Sequence, residues 1–416
     1  MASNPPHQYA FTRLRDETHH AESRLWAELK KQIQFASFFL RLREGTDSRD
    51  GSAHSSLRWA HDRVWYSRAS LDSPSSCSHA DFVELQFFAA HLRRSVPAAP
   101  TYIAGLDEIL ANNPLLKEIN RGDVIEFQGA RTSGASHFLA FLAMTAILPS
   151  TYRLSTRIGP TNGELHAEIN FGGKDQTIVW IDTSGAYDVD RLATMLRAHI
   201  STTITAANLG LETVDFRVII EEIMMECLEK VTVYSPRTTI QMAYSVAAIE
   251  RAYMDSPTPQ QEIGYVFVDS LSDFTWSDIV DKDASAHSPA IAHLITALTA
   301  LRTNLAPIIV LAQYVLKPSL SHFSADKLPF YSNHLPPPWP TIHNNPATLE
   351  SRQFGITAHI TLHPPKMKFI PSGVALEAAM KIPQVVDPEE YTAVVRVRGG
   401  KEIGSWLYNL SSSGVQ

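Results

Sequence analysis

The sequence predicts an α/β protein built on a doubly wound, mostly parallel sheet. Three observations predict it. From Asp123 onward, short apolar runs alternate with amphipathic segments. The apolar runs are continuous rather than alternating, as in strands buried on both faces. The segments between them carry the periodicity of helices that cover a sheet.

The apolar runs are VIEF (124–127), TIVWID (177–182), VTVYS (231–235), IGYVFVD (263–269) and PIIVLAQ (307–313), with helical patterns at about 134–147, 188–205, 212–230, 238–254 and 286–304. Three later runs, ITAHITL (356–362), YTAVVRV (391–397) and EIGSWLYNL (402–410), read as C-terminal antiparallel strands, the last two joined through Gly399 and Gly400. The Pro- and Asn-rich stretch LPFYSNHLPPPWPTIHNNPATLE continues neither element type, so a long exposed loop is expected over about 318–350. Residues 1–100 read as a helical, partly disordered N-terminal extension. Helices are expected at 20–42 and 81–94 around polar and Ser/Pro-rich tracts, and Pro97 and Pro100 close the linker. The main domain is expected over 101–416.

Composition narrows the function classes. A chain of 416 residues, 44% hydrophobic and 19% charged, can bury a full core. Two distant cysteines, Cys77 and Cys227, supply neither a disulfide framework nor a zinc site, so a reducing compartment and no zinc are expected. The opening residues lack the apolar core of a signal peptide, and no apolar run approaches the roughly 18 residues of a membrane span, so a soluble intracellular protein without membrane contact is expected. The net charge of −7 divides as +2 over residues 1–100, −12 over 101–300 and +3 over 301–416. An acidic centre repels phosphate, so any nucleic-acid contact is expected toward the ends.

The chemistry sits at the strand ends, where ligands bind in sheets of this class. After the first strand, Gly129-Ala130-Arg131-Thr132-Ser133-Gly134-Ala135-Ser136 fits the phosphate-loop pattern GxxxxGK[ST] except at the lysine, which is Ala135. The glycines allow main-chain amides to wrap a phosphate, and Ser136 stands where a hydroxyl ligates magnesium. The fourth strand closes on Asp269, the position of a carboxylate beside that magnesium. Each motif has a plainer reading: the loop as a tight strand-to-helix turn, and Asp269 as a cap.

The segments VIEFQGARTSGAS, VWIDTSGAYDVDRL, GYVFVDSLSDFTW and IIVLAQYVLKP occur in the order of a RecA-type recombinase core, and the chain resembles that family over roughly 101–318. VDSLSDFTW, with THHAESRLWAEL at 18–29, resembles more narrowly the divergent paralogue family of the X-ray-repair cross-complementing protein two. The resemblance implies a RecA-like phosphate-loop core, homologous-recombination repair of DNA double-strand breaks, a nuclear location and a complex with another recombinase paralogue, the D-type above all. It places Gly129 to Ser136 on the phosphate loop, Asp269 on the magnesium-supporting acid, and Gln313 on the glutamine that senses nucleotide beside the DNA-binding loop. It also exposes two departures: Ala135 for the lysine, and Ser184 for the catalytic glutamate of an Asp-Thr-Glu-Gly stretch. Without the phosphate-binding charge and the base that orients water, no efficient ATPase is expected, and ATP and magnesium are expected to be held weakly.

Basic and aromatic residues interleave after Gln313, where Lys317 and Lys327 accompany Phe323, Phe330, Tyr331 and Trp339, and Lys366, Lys368, Arg396, Arg398 and Lys401 follow. That mixture suits single-stranded or branched DNA, with Lys317 and Lys327 as the first candidate contacts. A solvated Pro-rich insertion is the plainer alternative. Residues His359 and His363 lie about 13 Å apart along a strand, too far to share a metal. Cys227, Met224 and Met225 are expected in the core. Two functions stand open: a recombinase paralogue with a degenerate nucleotide site, and an active DNA-stimulated ATPase in which Arg131 or another cation replaces the lysine. A third reading is an unrelated α/β protein.

Overall fold

The computed structural model describes residues 100–114, 116, 118–158, 163–207, 216–255, 262–274, 289–315, 331, 335–343, 354–364, 391–411 and 414–415. The chain divides into one unit of residues 1–96 with 251–260 and a second of 97–250 with 261–416. The expected helices at 20–42 and 81–94, and Lys317, Lys327, Phe323, Phe330, Lys366 and Lys368, lie outside the described residues.

The second unit opens with helix α1 (Ala104–Ala111), strand β1 (Val124–Gly129) and helix α2 (Ala135–Ile147), followed by the antiparallel pair β2 (Thr151–Ile158) and β3 (Gly163–Asn170). Then come β4 (Thr177–Asp182), α3 (Val189–Ala206), α4 (Phe216–Leu228), β5 (Val231–Tyr234), α5 (Thr239–Asp255), β6 (Ile263–Asp269), α6 (Pro289–Asn304) and β7 (Ile308–Tyr314). The chain closes with β8 (Ala358–His363), β9 (Tyr391–Val397), β10 (Lys401–Tyr408) and the two-residue strands β11 (Leu410–Ser411) and β12 (Gly414–Val415).

Eight strands form one sheet in the order β10-β9-β8-β1-β7-β6-β4-β5. The run from β8 to β5 is parallel throughout, while β9 and β10 are antiparallel. So the mostly parallel sheet with antiparallel C-terminal strands is present, although β8 itself joins the parallel set beside β1. Gly399 (φ 80°) and Gly400 (φ 72°) turn the β9–β10 hairpin in the left-handed conformation that glycine adopts without strain.

The sequence makes this sheet because its central strands can be buried on both faces: β1, β6 and β8 are buried along their whole length, β6 with apolar side chains as far as Asp269 and β1 and β8 with one face partly polar. Helix α2 is apolar nearly all round and correspondingly buried. On its side of the sheet Phe127 and Phe138 stack at 5.2 Å, and such a pair is worth about 1 kcal/mol beyond its burial. Strand β5 is the exposed edge, with Thr232 and Val233 facing solvent.

Three expectations are corrected. The β2–β3 hairpin was not anticipated. Met225 is 54% exposed, while its neighbours Met224 and Cys227 are buried. The described part of the supposed exposed loop is partly core: Leu335, Trp339 and Ile342 are buried, and Trp339 packs on Phe354 at 5.4 Å.

A polar row follows the strand register. Glu126 (β1) pairs across to His359 (β8), His359 to Arg396 (β9), and Arg396 to Glu402 (β10). The His359 ring meets Glu126 at 2.7 Å, both almost fully buried, and Arg396 donates to Thr361 at 2.7 Å. Arg396 is thus a buried structural cation, whereas Arg398 and Lys401 are exposed. His363 is also buried, stacked on Tyr331 at 5.3 Å, and burial with the nearby Arg396 charge pulls its pKa down to about 4.

Candidate functional site

The residues singled out around Gly129 form a strand–turn–helix. Strand β1 stops at Gly129, Arg131 to Ser133 make one 3-10 turn, Gly134 adopts φ 83°, and α2 begins at Ala135. Each glycine meets a local demand: a Cβ on Gly129 would collide with the Ser133 hydroxyl and the Leu362 carbonyl, and Gly134 holds a positive φ that L side chains rarely adopt. The turn is pinned from the C-terminus as well, where the Tyr408 hydroxyl donates to the Ser133 carbonyl at 2.7 Å. Ala135 is fully buried, and its methyl group offers no charge to a phosphate.

Asp269 ends β6 beneath this turn, with no exposure and with Oδ2 lacking any hydrogen-bond partner among the described residues. Burial raises its pKa to about 6; hydrogen bonds from Ser136 and Tyr314 oppose that rise, and the Asp182 and Asp273 charges add to it. The next residues explain why VDSLSD has its composition. Ser270 Oγ donates to Asp273 Oδ2 at 3.0 Å and lies 3.1 Å from Ser272 Oγ, which accepts the Tyr314 amide at 2.9 Å. Thr183 closes the turn from β4, donating from its hydroxyl to the Ser270 carbonyl at 2.6 Å and accepting the Ser270 amide at the same distance.

Ser184, where the resemblance expects a glutamate, is exposed and donates to Asp182 at 3.3 Å. No carboxylate therefore occupies that position to orient water. Two arginines lie near. Arg131 is 79% exposed on its side chain, meets Asp273 at 3.4 Å and sits 5.7 Å over the Tyr314 ring. Arg191, in the first turn of α3, is half-buried with Nη2 unpartnered among the described residues, and its charge acts on both Asp269 and His137. Burial and then Arg191 push the His137 pKa down to about 4.

Gln313 and Tyr314 diverge. Ile308, Val310, Ala312 and Tyr314 point to the α2 side, so alternation sends Gln313 to the opposite face, where Gln128 donates to it at 3.2 Å. Tyr314, which the sequence did not single out, instead reaches the phosphate-loop helix. Its phenol oxygen is 2.7 Å from Ser136 Oγ and donates to Asp269 Oδ1 at 3.2 Å. Strand alternation from Ala312 was the signal that could have found it.

A magnesium nucleotide would need the loop amides for phosphate and Ser136 with Asp269 for the ion. The turn has the two glycines that the first need calls for. The second does not fit, because a side chain of this same protein already bridges Ser136 and Asp269.

No protein-family model matches the chain. Over 177 residues it is 23% identical to the "DNA repair protein XRCC2 homolog" of Arabidopsis thaliana, a match that covers 38% of this chain and 43% of that protein. The chain thus aligns with less than half the length of this curated relative. Among solved structures, the crystal structure of the RadB recombinase is similar at 12% identity with a TM-score of 0.43, over 76% of this chain and 98% of that one. The chain thus shares part of its sequence with that DNA repair protein, and it folds into a mostly parallel sheet whose glycine-built turn after β1 lies beside the acid ending β6.

Proposed function

We propose that this chain is a non-hydrolysing recombinase paralogue that supports homologous-recombination repair of DNA double-strand breaks in the nucleus, within a complex of paralogues. One observation carries the reading: a strand–turn–helix with glycines at 129 and 134 runs to Ser136 beside Asp269, while the lysine and glutamate that drive phosphoryl transfer are absent at Ala135 and Ser184. Such a site can shape a nucleotide pocket without turning nucleotide over. ATP, where it binds, is held by the loop amides and weakly, and magnesium contributes little.

The partner proposed is a D-type recombinase paralogue, and the DNA proposed is single-stranded or branched. Lys317 and Lys327, just after β7, are the first phosphate contacts, since the acidic centre of the chain disfavours phosphate elsewhere. Supporting this is the sequence match to a relative whose own name is that of a DNA repair protein. Co-expression with a D-type paralogue, followed by size-exclusion chromatography, tests it. A stoichiometric complex that retains single-stranded DNA is expected; two separate peaks, neither binding DNA, would remove this reading.

A further inference from the structure

We propose that the Tyr314 phenol is a built-in occupant of the divalent-cation position, so that this phosphate loop takes nucleotide without magnesium unless Tyr314 withdraws. The inference rests on reading the Gly129–Ser136 turn as a nucleotide site.

Magnesium demands near-octahedral oxygen ligands at about 2.0–2.1 Å and tolerates little distortion. In a phosphate loop those ligands begin with the hydroxyl at the helix start and are supported by the acid at the strand end. Here the two groups, Ser136 and Asp269, do converge, but on a phenol oxygen at 2.7 and 3.2 Å. The phenol oxygen lies within hydrogen-bond distance of both neighbours at once and donates to the carboxylate. A metal with its shell of oxygens cannot share that space.

The ring is fixed on several sides. Tyr314 stands opposite Gly129 in the β1–β7 register, so its side chain rises beside the start of the loop. Its amide donates to Ser272 Oγ at 2.9 Å, and the following amide, of Val315, donates to the Gly129 carbonyl at 3.0 Å. The Arg131 guanidinium lies over the ring at 5.7 Å while pairing with Asp273. An independent mark of a cation position remains: Asp269 Oδ2, wholly buried, has no partner among the described residues. One carboxylate oxygen is satisfied by the phenol, and the other has no hydrogen-bond partner among the described residues. That is the residue of a metal-supporting acid whose metal place has been filled from within the chain.

The test is a titration of the full-length chain with a fluorescent ATP analogue, in magnesium and in chelator, for the native protein, Tyr314→Phe, and Tyr314→Phe with Ser136→Ala. The native protein should bind with the same affinity in both conditions. Tyr314→Phe removes a single oxygen, and should tighten binding roughly tenfold or more in magnesium only. Adding Ser136→Ala should abolish that gain. A folded Tyr314→Phe protein with no magnesium-dependent gain, including one that binds no nucleotide, overturns the inference. So does a native protein whose binding tightens roughly tenfold with magnesium, a result that needs no variant. Partner and DNA binding of the same proteins are measured in parallel. If those persist while the magnesium effect fails, the phenol inference falls and the paralogue reading stands.

Discussion

The hydroxyl of Tyr408, at the end of β10, donates to the main-chain carbonyl of Ser133 at 2.7 Å, tying the edge of the sheet to the turn that opens α2. Tyr408 is itself buried, edge-on to Phe138 at 4.9 Å. Tyr408→Phe keeps the ring and leaves the carbonyl unsatisfied, at a cost of about 1–3 kcal/mol. Tyr408→Ala also opens a cavity and should cost about 3–5 kcal/mol. Urea unfolding of both variants checks the order; native stability in Tyr408→Phe would mean that the hydroxyl contributes nothing.

Asp269 makes stability depend on pH in the sense opposite to an ordinary ion-paired carboxylate. Its pKa rises from 3.8 to about 6 on folding, so the native state holds the proton more tightly than the unfolded chain does. The stabilising contribution is complete below pH 3.8 and disappears as pH rises through 6. Asp269→Asn, which resembles the protonated acid, should therefore gain stability above pH 6, on the order of 3 kcal/mol, and flatten the slope between pH 4 and 6. Unfolding curves at several pH values measure it; an unchanged slope would show that Asp269 is not the group responsible.

Val179 lies in β4, one strand in from the edge, and is 3% exposed. Val179→Asp buries an unpaired carboxylate, at several kcal/mol, comparable with the stability of a whole domain. The variant should fail to melt cooperatively, which circular dichroism would show. A soluble variant with a sharp transition would mean that β4 tolerates solvent.

The Glu126–His359 pair predicts an asymmetry. Removing one partner, as in His359→Ala, strands a buried acid and should cost about 3–5 kcal/mol, whereas replacing both by apolar residues should cost much less. A double-mutant cycle reads the difference directly. Strict additivity would deny any coupling between the two.

How far the sequence reveals all this depends on local pattern. Strands such as IGYVFVD are legible because they are buried on both faces and need no tertiary knowledge. The β2–β3 hairpin was missed although Gly159-Pro160-Thr161-Asn162-Gly163 is a turn signal, because its flanks, TYRLSTRI and GELHAEIN, are too polar to read as buried strands. Met225 followed its apolar neighbours into the expected core, yet helix geometry turns it outward between Met224 and Cys227. The break from strand through turn to helix was readable from Gly129 and Gly134. Tyr314 was not, since resemblance drew attention to Gln313, and only pleat alternation separates the faces of two adjacent residues. The Glu126–His359–Arg396–Glu402 row was invisible for another reason: it exists only once strands far apart in sequence are in register.

Lys317→Glu combined with Lys327→Glu addresses the proposed DNA contact. Each lost phosphate contact should reduce the slope of log affinity against log salt by about 0.7 for single-stranded DNA. Unchanged affinity and slope in a folded double variant would move the DNA site elsewhere.

For the recombinase paralogue proposed above, with a phosphate-loop sequence but no catalysis, the decisive measurement is release of inorganic phosphate from ATP, with and without single-stranded DNA. With Ala135 in place of the lysine and Ser184 in place of the glutamate, turnover should stay at background in both conditions. DNA-stimulated hydrolysis that disappears in Asp269→Ala would contradict it.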